Sequence, residues 1–332
     1  MTALLATATY TVDPWDPSYG VAYGDELDSR EPRAALDLDV ELPAASWRAV
    51  SPAHTAALPS SVLFLDGVRR IDARVWVHGV APQPVPAIAA SLAAGLVRCD
   101  GTARIVDVRI DRSLYTSAAG ARDLDTRHAT YTVRPSRAGR PDDDLVLAVQ
   151  RRLAELEVEL ATAWQTAWQS ERPAGSAVDG LLVVDGPLRG HATHVAGAVG
   201  YVKTHHVPYL PPDQAAVVAG MAAGERSPVF AMTTSWRRYS WYLRLAERSA
   251  GGSAAPWSGV VRLECSADLA AAGAVALADL TARLLPPFAS TPHKDPRAPQ
   301  NLVPIGGLER QLRHRLGDPA LLYRALRAAA RE

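Results

Sequence analysis

The sequence predicts an α/β fold, a mixed sheet covered by helices, on three observations. Two short apolar runs, Val62-Leu63-Phe64-Leu65 and Leu181-Leu182-Val183-Val184, each lead straight into Asp-Gly. An apolar run of that length bounded by a turn residue reads as a buried strand. Between the two, residues 143–169 carry apolar side chains at helical spacing. The order strands, long helix, strands, helices favours a mixed sheet flanked by helices over an all-α or all-β fold.

Composition sets the outer limits. The 332 residues, 48% of them hydrophobic, suffice for one large domain or two smaller ones with a sizeable core. Lys plus Arg and Asp plus Glu each total 35, so no global field attracts a polyanion and any nucleic-acid contact must come from local patches. Two cysteines, Cys99 and Cys265, exclude a disulfide framework and the usual cysteine-rich zinc sites, which points to a reducing, cytoplasmic setting. The N-terminal residues Met1 to Thr7 lack a basic segment and a long apolar core, and no apolar stretch of about 18 residues occurs, so neither signal peptide nor membrane span is expected.

Along the chain, residues 1–55 are rich in Pro, Asp and Ala and read as an N-terminal arm or subdomain, with the main body over 56–332. The Val62 strand and the partly alternating segment Arg69 to Val77 suggest a hairpin turning at Asp66-Gly67. A strand is expected at 103–110, then a polar loop over 119–144 that caps the long helix. On that helix Val149, Leu153, Leu156, Leu160, Trp164 and Ala167 form one stripe. Glu157 borders it, while Glu155 and Glu159 point away, with Arg151 and Glu155 placed for an i,i+4 pair. Further strands are expected at 197–203, 229–233 and 259–264. Helices are expected at 267–285 and 308–331, around a Pro-rich segment.

The chemistry lies in the acids. If the two Asp-Gly strands are neighbours, Asp66 and Asp185 can share a hard divalent cation, because Mg²⁺ and Mn²⁺ favour carboxylate oxygen. That is the skeleton of a metal-dependent phosphodiester-cleaving site; the competing reading is a pair of ordinary turns. Glu157 is the third acid, or else a boundary residue with its head in water. Lys203, at a strand end, could hold a scissile phosphate or simply face solvent. The run Trp236-Arg237-Arg238-Tyr239-Ser240-Trp241-Tyr242 interleaves cations and aromatics, which suits unpaired bases and phosphates, although such aromatics also build cores. His191 with His194, and the His205-His206 pair, have loose metal-ligand spacing without a third ligand. Arg262 and Glu264 share one strand face, as an ion pair or as part of a site.

These residues resemble the NurA nuclease family. Leu182-Val183-Val184-Asp185-Gly186-Pro187-Leu188 and Val199-Gly200-Tyr201-Val202-Lys203-Thr204 are similar to its strand-Asp-Gly-(Ser/Pro)-Leu and Val-Gly-x-x-Lys-(Ser/Thr) motifs. Phe64-Leu65-Asp66-Gly67-Val68-Arg69 resembles its opening Val-Asp-Gly-Ser-Arg, with Val68 in place of the serine. Ser240 to Leu245 and Val260 to Glu264 resemble its later Tyr-x-Arg-Leu and Arg-x-Glu elements. The resemblance runs from about residue 60 to the C-terminus. It implies a ribonuclease H-like fold with N-terminal and C-terminal additions, Mn²⁺-dependent (or Mg²⁺-dependent) DNA cleavage, a homodimer, and a HerA-type hexameric ATPase as partner in DNA end resection. By position it implies Asp66 and Asp185 as metal ligands, with Glu157 as the best match to the family's helix-borne acid. The family's C-terminal His has no counterpart at the expected place; His293 and Asp295 lie a few residues earlier.

The sequence reading is therefore a metal-dependent deoxyribonuclease, a 5'-3' exonuclease and/or single-strand endonuclease acting in double-strand break repair. Asp66, Glu157, Asp185 and Lys203 are its catalytic candidates. Lys203, Arg237 and Arg238 are its DNA contacts. The alternative is a catalytically degenerate NurA-like scaffold that docks a translocase. An actin-like ATPase also places Asp-Gly on its first strand, but Val68-Arg69-Arg70-Ile71 is not a Gly/Thr-rich phosphate loop.

Overall fold

A computed structural model describes residues 9–12, 34–53, 57–79, 81–136, 141–170, 180–188, 195, 197–203, 208–247, 257–291, 293–295 and 297–330. The strands are β1 (Thr9–Val12), β2 (Ala35–Asp37), β3 (Ser61–His78), β4 (Val85–Cys99), β5 (Ala103–Thr116), β6 (Leu124–Asp125), β7 (Thr130–Pro135), β8 (Gly180–Asp185), β9 (Ala198–Val202), β10 (Phe230–Thr233), β11 (Arg237–Arg244) and β12 (Val260–Ser266). They join one mixed sheet in the order β2-β10-β11-β12-β9-β8-β3-β4-β5-β7-β6, with β1 on the free edge of β3. The α/β architecture with a large helix-flanked mixed sheet is thus observed.

Among the described residues five α-helices cover it: α1 (Pro141–Ser170), α2 (Pro212–Gly220), α3 (Ala271–Leu284), α4 (Val303–Arg315) and α5 (Pro319–Ala329). Strand alternation sorts their faces. Leu63, Leu65, Leu182 and Val184 pack with the α1 residues Val149, Leu153, Leu156 and Leu160. Phe64, Val68, Val183 and Tyr201 pack on the opposite face with α3 and with Ile305, Leu308 and Leu312 of α4. The stripe expected on α1 is buried from Val149 to Leu160, whereas Ala167 is exposed. Glu155 pairs with Arg152 at 3.2 Å, one residue from the expected Arg151, because Arg152 leans back toward Asp111 on the sheet.

The hairpin expected between 62 and 77 does not form. β3 is a single strand of 18 residues, and Asp66-Gly67 lies inside it. A bulge between Ile71 and Ala73 reverses its alternation, so Val62, Phe64 and Val68 before it and Ala73, Val75 and Val77 after it are all buried. β4 has no counterpart among the expected strands, because its alanine-rich stretch is nearly continuously buried between α1 and α4 and shows no two-residue period. The helix expected over 308–331 is two, parted at Gly317 (φ +80°) and Pro319. Residues 34–53, assigned above to an N-terminal arm or subdomain, line the far edge of the same sheet: β2 pairs with β10, and Glu41 binds the buried Arg226 at 2.8 Å. No described helix is long and apolar enough to cross a membrane.

Candidate active site

β3 and β8 run parallel, with Phe64 level with Val183 and Leu65 with Val184, so Asp66 and Asp185 are the next pair along two adjacent strands about 4.8 Å apart. Both point to the α4 face, the face of Phe64 and Val183. β8 ends at Asp185, and β1 takes up that edge of β3 only at Val75. Among the described residues, the edge of β3 from Asp66 to Arg74 has no strand beside it. The acids therefore sit at a notch where side chains from both faces of the sheet meet.

Glu157 reaches the notch from the other face. A β-carbon on Gly67 would lie 2.4 Å from Glu157 Oε1 and 2.8 Å from Leu153 Cδ1, so the missing side chain of Gly67 is what lets the α1 carboxylate lie against the strand next to Asp66. Glu155 is exposed. The helical phasing that singled out Glu157 is thereby matched.

The C-terminal elements close the α4 side. Lys203 Nζ donates to Asp185 Oδ2 at 2.7 Å and to Asn301 Oδ1 at 2.8 Å. Asn301 Nδ2 donates in turn to Asp295 Oδ2. Arg297 bonds to both Asp295 and Glu309, and Glu309 to Arg313. Beneath them the buried Tyr201 donates its hydroxyl to the Gln300 carbonyl at 2.7 Å, fastening this segment to β9. Asp295 therefore joins the site, while His293 is exposed and stands outside this network. Asn301, fully buried, is the residue that sequence reasoning missed.

Burial pushes the Asp66 carboxyl well above its ordinary range and the Asp185 charge pushes it further; Lys203 pulls the other way, ahead of a smaller push from Glu157 and a small offset from the Gly67 amide. Asp185 is also raised, by burial, against the opposing pull of Lys203. Asp295 goes the other way: burial raises it, but the bonds from Asn301 and Arg297 hold it below the usual carboxylate range. The site thus sets burial and neighbouring carboxylates against the Asp66 charge, with Lys203 as the cation that opposes them.

The turn after β8 has its own support. Gly186 adopts φ +97°, which carries the chain out of the strand, and Gly186 and Tyr201 exchange backbone hydrogen bonds of 2.8 and 3.0 Å. Leu188 N then donates to the buried Glu264 Oε1 at 2.6 Å. Glu264 Oε2 lies 3.0 Å from both Arg262 and Arg238. Arg262 and Glu264 are accordingly a buried ion pair that fixes the turn.

This placement corrects one of the expected DNA contacts, Arg238. Arg238 is 2% exposed and committed to Glu264, so its guanidinium does not face a phosphate. Arg237 is exposed, but β11 stands three strands from β8, about 14 Å across the sheet, and its register puts Arg237 toward the start of β8 rather than at Asp185. Tyr239, Trp241 and Tyr242 are core residues. His191, His194, His205 and His206 fall outside the described residues.

The residues at the notch suit a hard divalent cation. The donor set is carboxylate oxygen, and the mutual destabilisation of Asp66 and Asp185 is what a shared cation relieves. Among the described residues no ready-assembled group of three or more His, Cys, Asp or Glu is found. No protein-family model matches the chain, and no curated protein matches it.

Proposed function

We propose that this chain is a metal-dependent deoxyribonuclease of the NurA-like, ribonuclease H-like kind. The observation that carries the reading is the pairing of Asp66 and Asp185 at the end of two adjacent parallel strands, on one face, with Lys203 Nζ 2.7 Å from Asp185. Asp66 and Asp185 would hold Mn²⁺ or Mg²⁺, with Glu157 reaching the notch from α1. Such an ion supplies Lewis-acid stabilisation of charge at phosphorus and activates water at neutral pH. The chain's own residues do the rest. The two aspartates bring acceptor oxygens to one face of the sheet. Lys203 brings a compact positive charge for a phosphate oxygen. β3, fixed along its whole length by β4, holds Asp66 rigidly.

Homodimerisation and pairing with a HerA-type hexameric translocase in end resection belong to the same proposal and rest on the resemblance of the motifs. The test is cleavage of end-labelled single-stranded DNA. Mn²⁺- or Mg²⁺-dependent products, abolished by chelation and by Asp66→Asn, are expected. Products that persist in Asp66→Asn overturn the assignment. No cleavage, together with capture of a hexameric ATPase, establishes the scaffold reading in its place.

A further inference from the structure

Asn301 is the one neutral member of a row that otherwise alternates in charge: Asp185, Lys203, Asn301, Asp295, Arg297, Glu309, Arg313. An ammonium only donates and a carboxylate only accepts. The Asn301 amide oxygen must therefore face Lys203 and its NH₂ group Asp295, and both contacts are made in that sense. A carboxylate at 301 would meet Asp295 oxygen against oxygen, and an apolar side chain would satisfy neither neighbour. The fold makes room for this pair. Gly306 lies inside α4, where glycine weakens a helix, and a β-carbon there would come within 3.0 Å of Asn301 Nδ2 and 3.4 Å of Asp295 Oδ2.

We propose that Asn301 is a positioning residue that keeps the Lys203 ammonium at the acid pair when Asp185 is drawn to a divalent cation, leaving Lys203 to meet a substrate phosphate. The metal and the phosphate come from the nuclease reading above; the hydrogen bonds do not. Of the ammonium's two hydrogen-bond partners among the described residues, Asp185 is the one a cation would claim. Repulsion from that cation would then push Lys203 away, and Asn301, tied to α4 through Asp295 and Arg297, resists that push with a neutral oxygen.

The chain's basic residues total 35, yet only Lys203 and Lys294 are lysines. Selective ¹⁵N-lysine labelling therefore yields two ammonium signals, and they can be followed without turnover. In the wild type the Lys203 signal should survive Mg²⁺ addition at a new shift. In Asn301→Leu it should be present without Mg²⁺ and broaden into exchange with solvent when Mg²⁺ is added. The reciprocal exchange, Asn301→Asp with Asp295→Asn, rebuilds an acceptor for Lys203 and a donor for residue 301, and should restore the signal. In parallel, Asn301→Leu should lower kcat about tenfold with the KM for single-stranded DNA nearly unchanged, and the reciprocal pair should return to within about threefold of wild type. Identical Mg²⁺ responses of Lys203 in wild type and Asn301→Leu overturn the proposal, as does a reciprocal pair no better than either single variant. If Mg²⁺ moves no signal in the wild type, the metal reading fails and the proposal with it. If Mg²⁺ acts as described but no DNA is cut, only the nuclease reading fails.

Discussion

Asp66-Gly67 and Asp185-Gly186 follow near-identical apolar runs and put their carboxylates on the same face of adjacent strands, yet they are held in different ways. Asp66 lies in the interior of an 18-residue strand, and its glycine is there for space, admitting Glu157 and Leu153 from α1. Asp185 ends its strand, and its glycine is there for conformation, with φ +97° and, among the described residues beyond its chain neighbours, no atom within 4 Å of the place a β-carbon would take. Asp66 is stiffened by continuous pairing with β4; Asp185 depends on side chains from elsewhere, Lys203 in front and Glu264 behind the turn. A short motif thus specifies the carboxylate and its direction, while the support around it decides what a substitution costs.

The largest test of this contrast is at the acids. Asp66→Asn and Asp185→Asn should each lower cleavage by at least about 10²-fold, more than changes in supporting residues usually cost at metal sites. Their effects on stability should differ in size. Asp66→Asn removes a carboxylate whose charge the fold disfavours and should raise Tm by about 2 °C or more. Asp185 is raised too, but Asp185→Asn deprives Lys203 of its carboxylate and should raise Tm less, or not at all. A gain for Asp185→Asn as large as that for Asp66→Asn, read by calorimetry, would break the comparison.

The support of the Asp185 turn comes next. Arg238→Ala leaves the buried Glu264 with Arg262 alone and should cost about 3–5 kcal/mol, whereas Arg237→Ala should stay within about 0.5 kcal/mol. Denaturant titration of the two single variants separates these roles. Equal, small losses would return Arg238 to the surface.

The glycines give a finer distinction. Gly186→Ala forces a side chain into positive φ and should cost about 1–2 kcal/mol. Gly67→Ala would bring a β-carbon 2.4 Å from Glu157 Oε1 and 2.8 and 3.1 Å from Cδ1 and Cγ of the buried Leu153, and should cost about 1–3 kcal/mol by overpacking, while displacing Glu157 and reducing cleavage. Glu157→Ala should relieve the stability loss of Gly67→Ala and leave that of Gly186→Ala untouched.

The smallest effect is a pH dependence. The folded-state pKa of Asp66 is raised, so its neutral form is the one folding favours. Wild-type stability from this group is complete below the unfolded-state value near about 3.9 and is lost as pH rises through the raised folded value. The Tm advantage of Asp66→Asn should therefore vanish toward about pH 3.9 and grow as pH rises. Paired melts across that range check the sign.

Much of this was legible because it is local. Four apolar residues before Asp-Gly announced β8 and the start of β3, and a hydrophobic stripe on α1 distinguished Glu157 from Glu155. Lys203 was marked by its place at the end of an expected strand. What misled was equally local. Arginines among aromatics read as a nucleic-acid surface, because a single segment does not reveal that Glu264, on the neighbouring strand, claims Arg238. Asn301 carried no signal of its own, since a lone Asn in a Pro-rich segment has no period and no charge.

By itself, then, the sequence determined the alternation of strand and helix, the placing of two carboxylates after matching strands and the face of α1 that meets the sheet, all consequences of side-chain period and polarity within a few residues. Only the tertiary structure decided that Asp66 lies inside a long strand, that β8 stops beside it to leave a notch, and that Asn301 and Asp295 come to Lys203 from nearly a hundred residues away. Those outcomes depend on which edges pair and which buried charges find partners. Such choices are made by the whole chain at once, when the cost of leaving a polar group unmet is weighed against every alternative packing.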